Sequence, residues 1–197
     1  MTAARQAFTR ESADARRADL IEATAAVLAE HGLAGTSVRA ICAQAGVSPG
    51  LLRHYFEGID DLVAATYQAT SDRMDAIFAG AVEGAGADPR ARLSAYLTAS
   101  FRAPVTDPEL LGAWTAFWAL ARSDARMAAI HATSYAGYRA RLGELLVACG
   151  ARDPDRLAIM LTAMVDGLWL ELSLDAASFG ADAAAQMVER ALAALLP

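Results

Sequence analysis

Along most of its 197 residues the chain repeats one pattern: apolar positions three or four apart with polar residues between them, the spacing of an amphipathic α-helix. Leu20, Thr24, Val27 and Leu28 make one such stripe in a first helix from about Ala13 to His31, ended by Gly32. Gly35 and Thr36 open a second, short helix from about Ser37 to Ala45, and Gly46 stops it. A third follows from Pro49 to Tyr55, and a long fourth from about Ile59 to Gly80. Past a glycine-rich gap at residues 84–88, the pairs Asp88-Pro89, Asp107-Pro108 and Asp153-Pro154 start the fifth, sixth and eighth helices. Proline suits the first helical position, where its missing N–H would have no partner anyway. The seventh runs from about Asp124 to Cys149, the eighth to about Asp175, and a ninth from beyond Gly180 to Leu196. The pattern predicts an all-α fold of about nine helices. The last two are apolar around much of their circumference, so each needs partners on two faces, which predicts a homodimer through them.

A hydrophobic fraction of 55% with 20% charged residues fits a soluble globular chain with ample length for a core. The opening MTAARQAFTR holds no apolar run of the kind a signal peptide needs, and the greasiest segment, AIMLTAMVDGLWLELSL, is interrupted by Asp166 and Glu171. The expectation is a cytoplasmic protein that does not span a membrane. Cys42 and Cys149 sit inside apolar patterns without framework spacing and read as reduced, buried thiols.

Charge divides the chain. The net charge is −6 and every cation is an arginine. Residues 1–56 hold six arginines against five carboxylates, net +1, whereas residues 57–197 hold eleven against eighteen, net −7. A neutral-to-basic head on an acidic body is the polarity expected when only the head meets a polyanion. The boundary predicts a head over residues 1–56 and a body over 57–197.

Two short helices joined by a tight glycine turn and braced by a longer one make a helix-turn-helix. Ile41, Ala45, Val47, Leu52 and Tyr55 fall where the pair must touch, Cys42 where close approach wants a small residue, and Gly46 where the turn needs a positive φ. Ser48 can cap the third helix and Pro49 fits its first turn. Pro49, Gly50, Arg53 and His54 are then free to face a major groove, with Arg53 able to fork onto guanine. Thr36, Ser37, Ser48 and Tyr55 offer hydroxyls, and Arg39 a charge, to phosphate. The bland alternative is a corner of two helices in an ordinary bundle, with Arg53 and His54 merely solvated.

The run GTSVRAICAQAGVSPGLLRHYFEGIDDL resembles the DNA-binding domain of the TetR family of bacterial repressors, over residues 10–65. GLLRHYF, AWTAFWAL and MVDGLWLELSL are similar to its BetI-like subgroup, so the resemblance covers nearly the whole chain. It implies a ligand-responsive regulator, most often a repressor, that binds a palindromic operator as a homodimer and leaves it when a small-molecule inducer occupies the body. The fourth helix, joining head to body, would transmit that change. The family usually carries lysine where this chain has Ile59, at the start of the fourth helix beside a phosphate. Its loss implies weaker non-specific DNA binding, unless Arg16 or Arg17 supplies the contact.

For the inducer, the body offers aromatic residues at helical spacing. Trp114, Phe117 and Trp118 lie on the sixth helix, and His131, Tyr135 and Tyr138 on the seventh, with Tyr96 on the fifth and Trp169 on the eighth able to complete a ring. Such a ring with Asp166 or Glu171 nearby suits a choline-like or other cation. The competing explanation is that these aromatics are core, or, for Trp169 and Asp166, part of a dimer interface. No cofactor or metal site is expected: His31, His54 and His131 lie in no ligand spacing, and no catalytic motif is present. Two rival classes remain, a helical dimeric small-molecule-binding or scaffold protein that ignores DNA, and an all-α enzyme.

Overall fold

The computed structural model describes residues 13–175, 177 and 179–196. The N-terminal decapeptide and the first residues of the head therefore lie outside the described residues. Within them the chain forms nine α-helices and no strand: α1 (Ala13–Gly35), α2 (Val38–Gln44), α3 (Pro49–Tyr55), α4 (Ile59–Gly84), α5 (Pro89–Thr98), α6 (Pro108–Ala121), α7 (Ala125–Ala148), α8 (Pro154–Leu174) and α9 (Ala181–Leu195). A single 3-10 turn, Ala99–Phe101, follows α5.

The helix starts are made by side chains whose oxygens accept from free backbone N–H groups. Ser37 accepts from Ala40, Ser48 from Leu51, Asp88 from Ala91, Asp124 from Met127 and Asp153 from Arg156. Asp107 makes no such bond, and Pro108 alone sets that start. Four glycines among the described residues take the positive φ that other residues resist, and two of them shape the head. Gly32, at φ +60°, breaks α1 where the sequence places its end, and Gly46, at φ +65°, turns the chain between α2 and α3. Helix α4 runs four residues beyond Gly80, because Phe78 and Val82 are both buried and hold that last turn on the body.

Two apolar clusters result. Leu20, Val27, Ile41, Cys42, Leu52, Phe56 and Leu62 form the head's core. A larger cluster fills the body, from Leu28 and Val63 through Phe117, Leu146 and Leu161 to Leu192. Helices α1 and α4 contribute to both, and Ile59 is packed against both. Cys42 is buried as expected, whereas Cys149 is only half-buried at the end of α7. Head and body also meet where α1 crosses α6: a Cβ on Gly112 would sit 2.9 Å from both the Cα and the carbonyl oxygen of Ala29. Only glycine permits that approach.

Helix α8 is long and apolar enough to cross a bilayer by length and composition, despite the two carboxylates that interrupt it. Its inner face, Leu161, Val165, Trp169 and Leu172, is buried in the bundle. Its outer face leaves Ile159, Met160, Leu170 and Leu174 exposed, continued on α9 by Met187 and Leu195. The two-faced apolar character of the last helices is thus divided between the core and one open surface.

Candidate DNA-reading surface and ligand cavity

Helix α3 buries Leu52 completely and rests Tyr55 half-buried on the head's core, with the Tyr55 ring edge-on to His54 at 5.0 Å. On its other side Pro49, Gly50, Arg53 and His54 stand exposed beside Ser48. A Cβ on Gly50 would meet nothing nearer than Ser48 Oγ, at 3.8 Å. The head's own packing therefore makes no demand for glycine there, and the space it leaves opens outward.

Three of the four hydroxyls predicted for phosphate already have work inside the head. Ser37 and Ser48 accept as caps, which leaves each with an O–H still to donate. Thr36 differs, since its Oγ1 donates to the Gly32 carbonyl at 2.7 Å and only its lone pairs remain. Arg39 is exposed on α2. Near the start of α4, Ile59 is half-buried, and the Arg17 guanidinium lies over the Phe56 ring at 5.0 Å.

In the body, Met74, Phe78, Ser100, Trp114, Trp118, Tyr135, Tyr138, Val165, Asp166 and Trp169 surround one cavity with about 420 Å³ of empty space, part of it open to solvent. Six of the eight side chains expected to hold the effector are brought together here: Trp114, Trp118, Tyr135, Tyr138, Asp166 and Trp169. Phe117 and Tyr96 do not line it. Phe117 is fully buried and stacked on Tyr67, at 4.4 Å and nearly parallel, so it belongs to the core. Tyr96 stands behind Tyr138, stacked at 5.0 Å, and its hydroxyl donates to the Tyr138 carbonyl at 3.1 Å. Glu171 is exposed and away from the cavity. Met74 and Phe78, from α4, and Ser100, from the 3-10 turn, were not anticipated.

The cavity's polar wall is a chain of donors. Trp118 Nε1 donates to the Tyr135 hydroxyl at 3.0 Å, and that hydroxyl donates to Asp166 Oδ1 at 3.2 Å. Burial raises the Asp166 carboxyl to about 6, although the Tyr135 hydrogen bond and the Arg139 charge both oppose the rise. Burial and the neighbouring carboxylate push Tyr135 well above the ordinary phenol value. Behind it His131 Nδ1 meets the Tyr67 hydroxyl at 2.8 Å, and burial lowers the imidazole's basicity. Trp118, Tyr135 and Asp166 also face an open groove lined by Arg122, His131 and Leu170, so they partition cavity from surface. Two buried donors of the cavity, Trp169 Nε1 and the Tyr138 hydroxyl, have no hydrogen-bond partner among the described residues. Burial pushes the Tyr138 phenol far up, and the nearby Ser100 side chain only eases that rise without reaching hydrogen-bonding geometry. An unsatisfied buried donor costs about 1–3 kcal/mol. A ligand carrying an acceptor would remove that penalty.

Two separate stretches of the chain match known families. Residues 20–66 match the bacterial regulatory proteins of the tetR family, and residues 89–197 match the C-terminal domain of the BetI-type transcriptional repressor. The HTH-type transcriptional regulator BetI of Paraburkholderia xenovorans is 34% identical over 181 residues, which span 86% of this chain and 87% of that one. The regulator of the same name from Rhizobium meliloti is 35% identical over 183 residues, 88% of this chain and 86% of that one. Among solved structures, a protein of Pseudomonas aeruginosa PAO1 described as a transcriptional regulator superposes with a TM-score of 0.85 at 42% identity, covering 95% of this chain and 93% of the other. A regulator from Saccharomonospora viridis, solved in complex with choline, shares the fold at a TM-score of 0.81 and 18% identity, over 92% and 97% of the two chains.

Proposed function

This chain belongs to the TetR family of bacterial transcriptional regulators, with a BetI-type C-terminal domain, and on that footing we propose that it is a homodimeric repressor whose α3 helices read a palindromic operator and whose aromatic cavity admits a compact organic cation as inducer. The head comprises residues up to 56 and the body those from 57 onward. Arg53, His54, Pro49 and Gly50 meet base edges, while Ser37, Ser48, Arg39 and Tyr55 hold phosphates, with Thr36 lending its lone pairs to a bridging water. The exposed apolar stripe of α8 and α9 closes the dimer, which sets the two reading helices one turn of DNA apart, about 34–36 Å.

What supports this most is the division of α3. One face packs Leu52 and part of Tyr55 into the head's core, and the other holds an arginine and a histidine, neither of them in an ion pair among the described residues, beside a glycine that folding does not require. The inducer's chemistry follows from the cavity. Indole and phenol faces attract a cation at about 0.5–2 kcal/mol, Asp166 supplies the countercharge, and Trp169 Nε1 and the Tyr138 hydroxyl ask for an acceptor on the same molecule. Choline has both features and serves as the first probe. By linkage, operator and inducer weaken each other by the same factor.

The test is a titration of duplex DNA from upstream of the protein's own gene, with and without the double change Arg53→Ala, His54→Ala, and with and without choline. Sequence-specific binding by the wild type that the double change abolishes is the expected result. A wild-type protein indifferent to that DNA would return the chain to the class of helical binding or scaffold proteins.

A further inference from the structure

Between head and body, Leu33, Thr36, Ile59, Asp60, Val63, Leu120, Asp124, Arg126 and Met127 line an open cleft with about 660 Å³ of empty space. On this side of the junction the two parts are separated rather than packed, although α1 seats the head on α6 elsewhere, so a tie beside the cleft fixes the position of this side alone. One carboxylate beside the cleft ties the start of α4 to the start of α7. Asp61, in the first turn of α4, accepts from the Glu57 backbone N–H through Oδ2 at 3.4 Å and from Arg126 Nη2 through Oδ1 at 2.8 Å. Glu57 lies two residues beyond the end of α3, and Arg126 lies in the first turn of α7. The N-cap of α4, Gly58, has no side chain to fix this turn, which leaves Asp61 as its tie. Arg126 holds the carboxyl below the usual carboxylate range, with Arg17 adding to the effect, so it is charged at neutral pH.

Helix α7 connects this tie to the cavity. Tyr135 and Tyr138 line the cavity nine and twelve residues after Arg126, about 14 and 18 Å farther along one continuous helix at 1.5 Å per residue. A helix of this kind moves as a rod. We infer that Asp61 and Arg126 form a clasp through which a shift of α7, caused by occupancy of the cavity, reaches the turn behind the DNA-reading helix. Both are positioning residues that touch neither DNA nor ligand. The inference rests on the regulatory reading above and adds a route beside the swing of α4, and it states which residues carry the route in this chain.

The clasp is tested on the full-length protein by the distance distribution between spin labels at Gln44 on α2 and Ala140 on α7 of one protomer, diluted with unlabelled protein. Both positions are exposed. Asp61→Asn and Arg126→Ala should each broaden this distribution and weaken operator binding about three- to tenfold, with thermal stability unchanged. The double change should do no more than either alone, and Arg126→Lys should restore most of the narrow distribution. Raising salt should broaden the wild type to the width of Arg126→Ala and leave that variant unmoved. Unchanged distributions in both single variants, or a double variant whose effect is the product of the two, would overturn the clasp. The label distances involve no DNA, so a wild type that ignores operator sinks the regulatory reading while the clasp is still judged by its own measurement.

Discussion

In the head, Ser37, Ser48 and Thr36 each have a backbone partner, and the side chains left over, Arg39, Arg53 and His54, all stand in solvent. In the body, Trp169 Nε1 and the Tyr138 hydroxyl are enclosed and have none among the described residues. The head's cationic side chains stand exposed already, with no core packing to undo before a partner could reach them. In the body's interior two polar groups find no protein partner among the described residues, so an entering molecule can supply one. The difference accounts for a division of labour. The part that must find its site among many needs a rigid surface, and the part that must respond needs a site whose occupancy changes its energy.

That contrast can be broken most sharply at Arg53. Arg53→Ala should cost about 1–3 kcal/mol per half-site on operator DNA and relax specificity at the base it contacts, measured by fluorescence anisotropy on cognate and random duplexes. An equal loss on both would make Arg53 a phosphate contact and leave the head without a reader on α3.

Asp166 comes next. Its folded-state carboxyl titrates near 6, above the unfolded value of about 3.9, so the folded chain binds that proton more tightly. Stability from this group is present at low pH, falls as pH rises from about 4 to about 6, and is level above that. Asp166→Asn should remove the fall, worth at most about 3 kcal/mol, in thermal melts across that window. For the wild type, choline affinity should drop up to about tenfold per pH unit below 6 and be flat above it, because only the carboxylate pairs with a cation. Affinity that stays constant down to about pH 5 would remove Asp166 from the site.

Trp169→Phe keeps a ring and deletes the orphan N–H. Choline should lose more affinity than tetramethylammonium, which has no acceptor and loses only the stronger cation attraction of the indole face. Equal losses for both cations would mean that the indole acts through its face alone. The smallest effect is at Ile59. Ile59→Lys should steepen the log–log salt dependence by about 0.9, the slope of one further neutralised phosphate, and tighten cognate and random DNA alike. Tighter binding confined to the cognate duplex would show that the position reads sequence.

The two regions also differ in how far the residues alone disclosed them. Caps, glycine turns and the outward face of α3 are set by neighbours within a few residues, and Ser37, Gly46, Ser48 and Leu52 sit as local rules place them. The cavity is assembled from four helices and a 3-10 turn. Helical spacing put Trp114, Phe117 and Trp118 on one face of α6, but spacing cannot say which of them meets a cavity and which meets Tyr67 behind it. For the same reason Tyr96 and Tyr138 looked alike until their stacking showed one in front of the other. Ser100 and Phe78 carried no local signal, because only the packing of α4 against α7 and of the 3-10 turn against α8 brings them to the same place. Ile59 stood out against the family's lysine, yet its contact with both apolar clusters follows from the crossing of α1, α4 and α7.

The approach of Gly112 to Ala29 has a consequence for what counts as a separable piece. Residue 56 divides the chain by charge and by motif, but α1 lies on α6 with no room for a methyl group between them. The helix that floors the cavity with Trp114 and Trp118 is thus also the bed on which the head's longest helix is laid. Excision at the charge boundary would tear α1 from its seat and leave an apolar scar on each fragment, so autonomy of the two halves ends where their backbones touch.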